Sequence, residues 1–175
     1  MKNIIKELIP YVVILIVVVI IRSFIITPIT VVGDSMYPNL KNKELLFLSK
    51  ISYKLHDIDR FDVIVIKEDD YIIKRVIGLP LENISYIDNK LYVDDTLVED
   101  NYSNGNTIDF TLEDICLVSN LKCSNNVIPK GYYLVLGDNR EVSKDSRSVG
   151  LIKEKEIKGK AIVRFWPLNK ISIVK

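Results

Sequence analysis

Fourteen residues near the start of this chain leave few ways for it to fold. From Leu8 to Ile21, 13 of 14 residues are apolar, and Pro10 is the exception. Lys2, Lys6 and Glu7 precede the run, Arg22 and Ser23 follow it, and Phe24-Ile25-Ile26 resumes it. A membrane-spanning helix needs about 20 residues, with a lower limit near 17. Lys6 to Ser23 meets that limit when Lys6 and Arg22 snorkel toward the interfaces. Pro10 falls in the first turn, where a missing N–H does little harm. A cleaved leader would need small residues at a cleavage site, and Ile25-Ile26-Thr27-Pro28-Ile29 offers none of that type. A buried core helix would carry polar residues on one face, and this run carries none. The pattern predicts an uncleaved anchor over residues 1–27. Lys2, Lys6 and the amino terminus outweigh Glu7, which favours a cytoplasmic N-terminus and leaves the remaining chain outside. Arg22 on the far side weakens that signal.

Beyond Thr27 lie 148 residues, enough to bury a real core. They hold 21 basic and 22 acidic side chains, so a strongly basic nucleic-acid binder is excluded. One histidine, His56, and two cysteines rule out a multi-histidine metal site and a zinc site made of Cys and His alone. The pattern after Pro28 is short apolar runs broken by turn signals. Strands are expected at Glu44–Ser49, Asp62–Lys67, Tyr71–Gly78, Ile84–Ile87, Lys90–Val93, Tyr132–Leu136 and Lys160–Phe165, all rich in β-branched and aromatic residues. Asp88-Asn89 suits a two-residue hairpin turn. Only Thr111–Leu117 and Lys153–Ile157 suggest short helices. Residues 101–126, polar at both ends and holding Cys116 and Cys123, read as part of an insertion, drawn broadly at 81–131. The expected fold is mainly β: an anchor helix, then an all-β domain over 28–175 with a small inserted β subdomain.

Three clusters could carry chemistry. In Gly33-Asp34-Ser35-Met36-Tyr37-Pro38, a glycine-containing turn presents a serine. Such a turn can expose a hydroxyl beside unpaired backbone N–H groups, which a nucleophile with an oxyanion hole needs. A turn serine bonded to its own backbone is the commoner arrangement. A serine nucleophile needs a base. His56 sits in the polar connection Leu55-His56-Asp57-Ile58-Asp59, where a surface histidine is the ordinary reading. The other partner for serine is a neutral lysine, and burial must suppress its charge. Lys74, between Ile72, Ile73, Val76 and Ile77, is placed for that, although periodicity alone favours an exposed Lys74-Arg75 pair on an edge strand. The third cluster, Gly137 to Gly150, is dense in short polar side chains. Asp145 and Arg147 could brace it as a charge-assisted pair, and Ser143 or Ser146 could orient an amine.

Together the three clusters resemble the type I signal peptidases, membrane-bound serine proteases with a Ser–Lys dyad. The resemblance rests on Ser35-Met36-Tyr37-Pro38-Asn39-Leu40, Lys74-Arg75-Val76-Ile77-Gly78-Leu79-Pro80 and the run from Gly137 through Arg147. Arg60-Phe61-Asp62-Val63-Ile64-Val65 and Arg164-Phe165-Trp166-Pro167-Leu168-Asn169 resemble two further family boxes, in the same order. This chain departs at Leu81-Glu82, where Gly-Asp is usual, at Phe61 and at Val142. Gly33 stands where some relatives carry a serine that helps bind the oxyanion, as in many Gram-positive-type members.

The resemblance implies Ser35 as nucleophile and Lys74 as general base. It implies an oxyanion hole from the backbone of Ser35 and Gly33. Ser143 would orient the Lys74 amine, and Asp145 with Arg147 would support the site. Met36, Ile72 and Ile73 would line substrate pockets for small residues. Implied partners are exported preproteins and the lipid bilayer, with no nucleic acid and no metal or organic cofactor; the oligomeric state stays open. The implied location is the cell membrane, crossed once, with the catalytic domain outside. Some relatives carry a disulfide in the comparable insertion, and for Cys116 and Cys123 a disulfide and two free thiols both stay open. Alternatives are a specialised peptidase for pilin or spore-coat precursors, an inactive membrane-tethered relative, and a self-cleaving repressor-type protease, which would carry a DNA-binding module where this chain has an anchor.

Overall fold

The computed structural model describes residues 2–20, 25–67 and 70–175. Helix α1 spans Lys2–Ile20, and the side chains described along it, from Leu8 to Val19, are all exposed. Among the described residues no helix is long and apolar enough to cross a membrane. Arg22 and Ser23, expected at the end of the span, lie outside the described residues. Ile26 and Thr27, which the sequence places at the end of the anchor, begin strand β1 (Ile26–Thr30), paired with Ser49 and Leu48 of β2 (Leu45–Ser49).

The larger sheet also takes in β3 (Val63–Lys67), β4 (Tyr71–Gly78), β9 (Tyr132–Leu136), β10 (Ile152–Lys153), β11 (Ile157–Trp166) and β12 (Ser172–Ile173). Its order is β1-β2-β11-β3-β4-β9-β10, with β12 on β11, and every pairing is antiparallel. Its strands follow from the sequence pattern. In β2, Leu46 and Leu48 face the core while Leu45 and Phe47 are partly exposed, the two-residue period of a sheet covered on one face. The first four residues of β3, Val63-Ile64-Val65-Ile66, are buried without alternation, as expected of a strand covered on both faces. Burying each such side chain contributes about 1.5–3 kcal/mol.

Between β4 and β9 the chain builds a second sheet of β5 (Ile84–Ile87), β6 (Lys90–Val93), β7 (Thr96–Val98) and β8 (Phe110–Thr111), ordered β7-β6-β5-β8. Asp88 and Asn89 both take positive φ, 51° and 60°, as the two-residue turn requires. Helix α3 (Leu112–Val118) follows, capped by reciprocal bonds between Thr111 and Asp114. Cys116 and Cys123 form a disulfide with their Cα atoms 6.1 Å apart, which settles the open choice. Among the described residues, short helices α2 (Ser52–Leu55) and α4 (Ser146–Val149) and three 3-10 turns make up the rest. Of Lys153–Ile157, expected as a short helix, Glu154–Glu156 is one of those turns, while Lys153 ends β10 and Ile157 begins β11.

Candidate active site

Residues 31–44 close the β1–β2 hairpin, and Ser35 sits on this loop. Gly33 takes φ +79°, a left-handed conformation that glycine tolerates, and it turns the chain ahead of the serine. Just after it, the Tyr37 N–H donates to the Asp34 carbonyl and the Leu40 N–H to that of Met36. Met36 pins this turn from below. Expected as a pocket wall, it is 1 % exposed and packed in the core with Leu46, Leu48 and Val63, outside the cleft lining. The thioether fills core space because the turn directs it inward.

Strand β4 brings up the lysine. Lys74 Nζ donates to Ser35 Oγ at 2.9 Å, although the residues are 39 apart in sequence. Lys74 is 4 % exposed and Arg75 0 %, so an exposed edge pair is overturned. Strand alternation sends the two cations to opposite faces. Arg75 makes a two-toothed ion pair with Asp138, Nε to Oδ1 at 2.8 Å and Nη2 to Oδ2 at 2.7 Å. Its guanidinium also lies 3.9 Å from the centre of the Tyr102 ring.

The loop after β9 lies against the Ser35 turn. The Asn139 N–H donates to the Ser35 carbonyl at 2.9 Å, and its side-chain amide to the Asp34 carbonyl at 3.2 Å. Asp145 accepts from Arg147 Nε and Nη2, both at 2.8 Å, and from the Gly137 N–H at 3.0 Å. The brace read from the sequence therefore holds the start of the loop as well as the arginine. Gly137 is needed for close approach: a Cβ there would stand 2.5 Å from the Ser35 carbonyl oxygen and closer still to Ser143 Oγ.

Two expected roles meet a different geometry. Ser143 Oγ is buried and has no hydrogen-bond partner among the described residues, so the expected bond to Lys74 is absent. Its hydroxyl packs on Gly137 instead. The Gly33 N–H, expected as an oxyanion donor, is taken by the Asn42 side chain at 3.3 Å. No hydrogen bond engages the Ser35 N–H among the described residues.

Ser35 and Lys74 open onto a cleft of about 760 Å³ that is lined also by Ile72, Ile73, Tyr71 and Val142. The cleft thus takes two of the three expected pocket residues. His56 is exposed, in the connection after α2, and lines a separate surface hollow with Tyr53 and Asp57. Asp138, Asn139, Arg140 and Arg75 were legible only as members of motifs. Their partners are too far along the chain for any local pattern to assign.

This arrangement puts a hydroxyl, a buried amine and an uncommitted backbone N–H at one cleft, the parts needed for acyl transfer. A family model described as signal peptidase, peptidase S26, matches residues 3–166. A signal peptidase IB of Staphylococcus aureus is 41 % identical, covering 96 % of this chain and 92 % of the relative. A signal peptidase I of Bacillus caldolyticus is 38 % identical over 93 % of this chain and 92 % of its own. The crystal structure of a signal peptidase I from Enterococcus faecalis matches with a TM-score of 0.50 and 34 % identity, over 60 % of this chain and 97 % of that one.

Proposed function

The chain belongs to the signal peptidase family, peptidase S26, and from that premise we propose that it cleaves signal peptides from exported precursors with Ser35 as nucleophile and Lys74 as base. The observation that carries this reading is the 2.9 Å contact between Lys74 Nζ and Ser35 Oγ, made by a lysine almost closed to solvent. Burial disfavours an ammonium ion, and a lysine must be neutral to accept a proton.

The steps follow from these groups. Ser35 Oγ attacks the scissile carbonyl while its proton passes to Lys74 Nζ. The tetrahedral oxyanion takes the Ser35 N–H, a donor typically worth about 2.7–4 kcal/mol in such sites. Lys74 then gives its proton to the leaving amine, and the acyl-enzyme forms. Water, deprotonated by Lys74, attacks the ester; the Ser35 Oγ–acyl bond breaks, Oγ takes the proton back from Lys74, and the second product leaves as a carboxylic acid. Asp145 with Arg147 supports the loop beneath the site. Ser143 is close enough to Gly137 to limit how that loop packs on Ser35. The substrate lies extended in the cleft, and Ile72 and Ile73 favour small side chains beside the cut.

The reading extends to the membrane. The apolar run that starts in α1 anchors the chain, with the N-terminus cytoplasmic and the catalytic domain at the outer surface. Its support is the unbroken exposed apolar face from Leu8 to Val19, apart from Pro10, and the charge ahead of it.

The test is cleavage of a purified signal-bearing precursor in detergent, with the cut site read by mass. The parent should cut after a small residue, and Ser35→Ala and Lys74→Ala should lose about 10³-fold or more. An active Lys74→Ala would remove the lysine base and return attention to His56.

A further inference from the structure

The steps above use the loop from Gly137 to Arg147 but not the group that holds it from the far side. That group comes from the inserted sheet. Its segment from Asp100 to Thr107 runs along residues 138–140: the Asn104 N–H donates to the Asp138 carbonyl at 2.7 Å, and the Arg140 N–H to that of Asn104 at 2.9 Å. Arg140 is buried in this junction. Its Nη2 pairs with Asp100 Oδ2 at 2.5 Å, and its Nη1 donates to the Tyr86 hydroxyl at 2.8 Å and to Thr107 Oγ1 at 3.1 Å. Its Nε turns back to the Gly137 carbonyl at 3.0 Å. One guanidinium thus joins strand β5 of the insertion to the glycine that packs against Ser35.

We propose that the inserted sheet is a clamp on the nucleophile turn, with Asp100 and Arg140 as positioning residues for cleavage by Ser35. This rests on the reading of Ser35 and Lys74 given above. The path is short. Arg140 fixes the backbone of residues 137–140, and the Asn139 N–H in that stretch holds the Ser35 carbonyl at 2.9 Å. The junction is also closed to compromise. Tyr86 donates to Asp100 and accepts from Arg140, so each buried polar group has its partner. Burial pushes the Tyr86 phenol up to about 12 against the lowering charge of Arg140, so it keeps the proton it donates. A half-satisfied version of such a network lets the charged partner seek water, and here that would pull on Gly137.

The test compares the full chain in detergent with Asp100→Asn, Tyr86→Phe and Asp114→Ala, reading kcat, KM and thermal midpoint. Asp114→Ala removes the α3 cap in the same insertion without touching the loop. Asp100→Asn should lower kcat about 10- to 100-fold with KM within about twofold, the size of an ångström-scale misplacement of a reacting group. Tyr86→Phe should act in the same direction and less. Asp114→Ala should lower the midpoint and leave kcat unchanged. Folded Asp100→Asn and Tyr86→Phe proteins with parental kcat overturn the clamp, and so does an Asp114→Ala protein that loses kcat equally. If Asp100→Asn does not fold, Tyr86→Phe decides alone. A parent inert on precursors, or an active Ser35→Ala, overturns the proteolytic reading beneath the clamp. A dead Ser35→Ala beside unaffected Asp100 and Tyr86 variants overturns the clamp only.

Discussion

Adding one methyl group at Gly137 tests how tightly the Ser35 turn is held. Gly137 does not take a positive φ, so alanine fits its backbone, and any loss comes from contact. The new Cβ would stand 2.5 Å from the Ser35 carbonyl oxygen and 2.6 Å from Ser143 Cβ. To reach ordinary contact, the Ser35 backbone or the loop must move by about 0.9 Å. Neither side moves alone, since the Asn139 N–H ties the Ser35 carbonyl to the loop and Asp145 ties down the Gly137 N–H. The shift therefore reaches Ser35 Oγ and its 2.9 Å contact with Lys74. A misplacement near 1 Å costs about 100-fold in rate, or about 2.7 kcal/mol of barrier. Overpacking adds about 1–3 kcal/mol of lost stability, against a gain of about 0.4–1 kcal/mol from a stiffer unfolded chain. The assay is steady-state cleavage of a precursor below the midpoint of both proteins, with the midpoint measured alongside. A Gly137→Ala protein with kcat within twofold of the parent would refute the close-packing argument, whatever its stability.

Other outcomes follow from the same geometry. Cleavage should rise from pH 7 to pH 9, because Lys74 must shed its proton and lysine ordinarily titrates near 10.4; a flat profile from pH 5 to 9 contradicts the lysine base. Asp138→Ala should lower stability by about 3–5 kcal/mol in a denaturant titration, since it leaves the Arg75 guanidinium buried without its carboxylate. Burial raises the Asp100 carboxyl, but the Arg140 charge with bonds from Tyr86 and Arg140 outweighs it and holds the group below the usual carboxylate range. Its stabilising contribution is present above about pH 3.9 and is lost as pH falls toward the folded value. Acid melts of the parent should therefore fall more steeply than those of Asp100→Asn, and parallel curves would count against the ion pair. Replacing Cys116 and Cys123 by serine should cost about 2–3 kcal/mol, the entropy of a short closed loop, seen as a lower midpoint that reductant reproduces in the parent.

Local patterns predicted most of the sheet. Tyr71–Gly78, Ile84–Ile87, Lys90–Val93 and Tyr132–Leu136 have the bounds that β-branched runs and turn residues suggest. The strands that were missed are short or atypical. Thr96–Val98, Phe110–Thr111, Ile152–Lys153 and Ser172–Ile173 are two or three residues long, and a neighbour's unpaired edge defines them more than their own composition. Ile26–Thr30 carries a proline, and Ile26 continues the apolar run, so Ile26 and Thr27 read as the tail of the anchor. Pairing with β2 makes the segment a strand.

The site divides along the same line, and the pair Lys74 and Arg75 shows why. A two-residue period tells any reader that neighbours on a strand face opposite ways. It does not say that both faces are closed. Lys74 is closed in because a loop 39 residues earlier folds over it, and Arg75 because Asp138, 63 residues later, supplies a matching carboxylate. Periodicity alone suggests a solvated edge, but β4 is paired on both sides, and without those partners the two cations would simply face water. The chemistry therefore lies less in Lys74 than in what desolvates it. The same logic explains Met36, whose motif position suggests a substrate wall although its packing makes it a pin. A residue's type set the range of possible roles, and contacts distant in sequence selected among them.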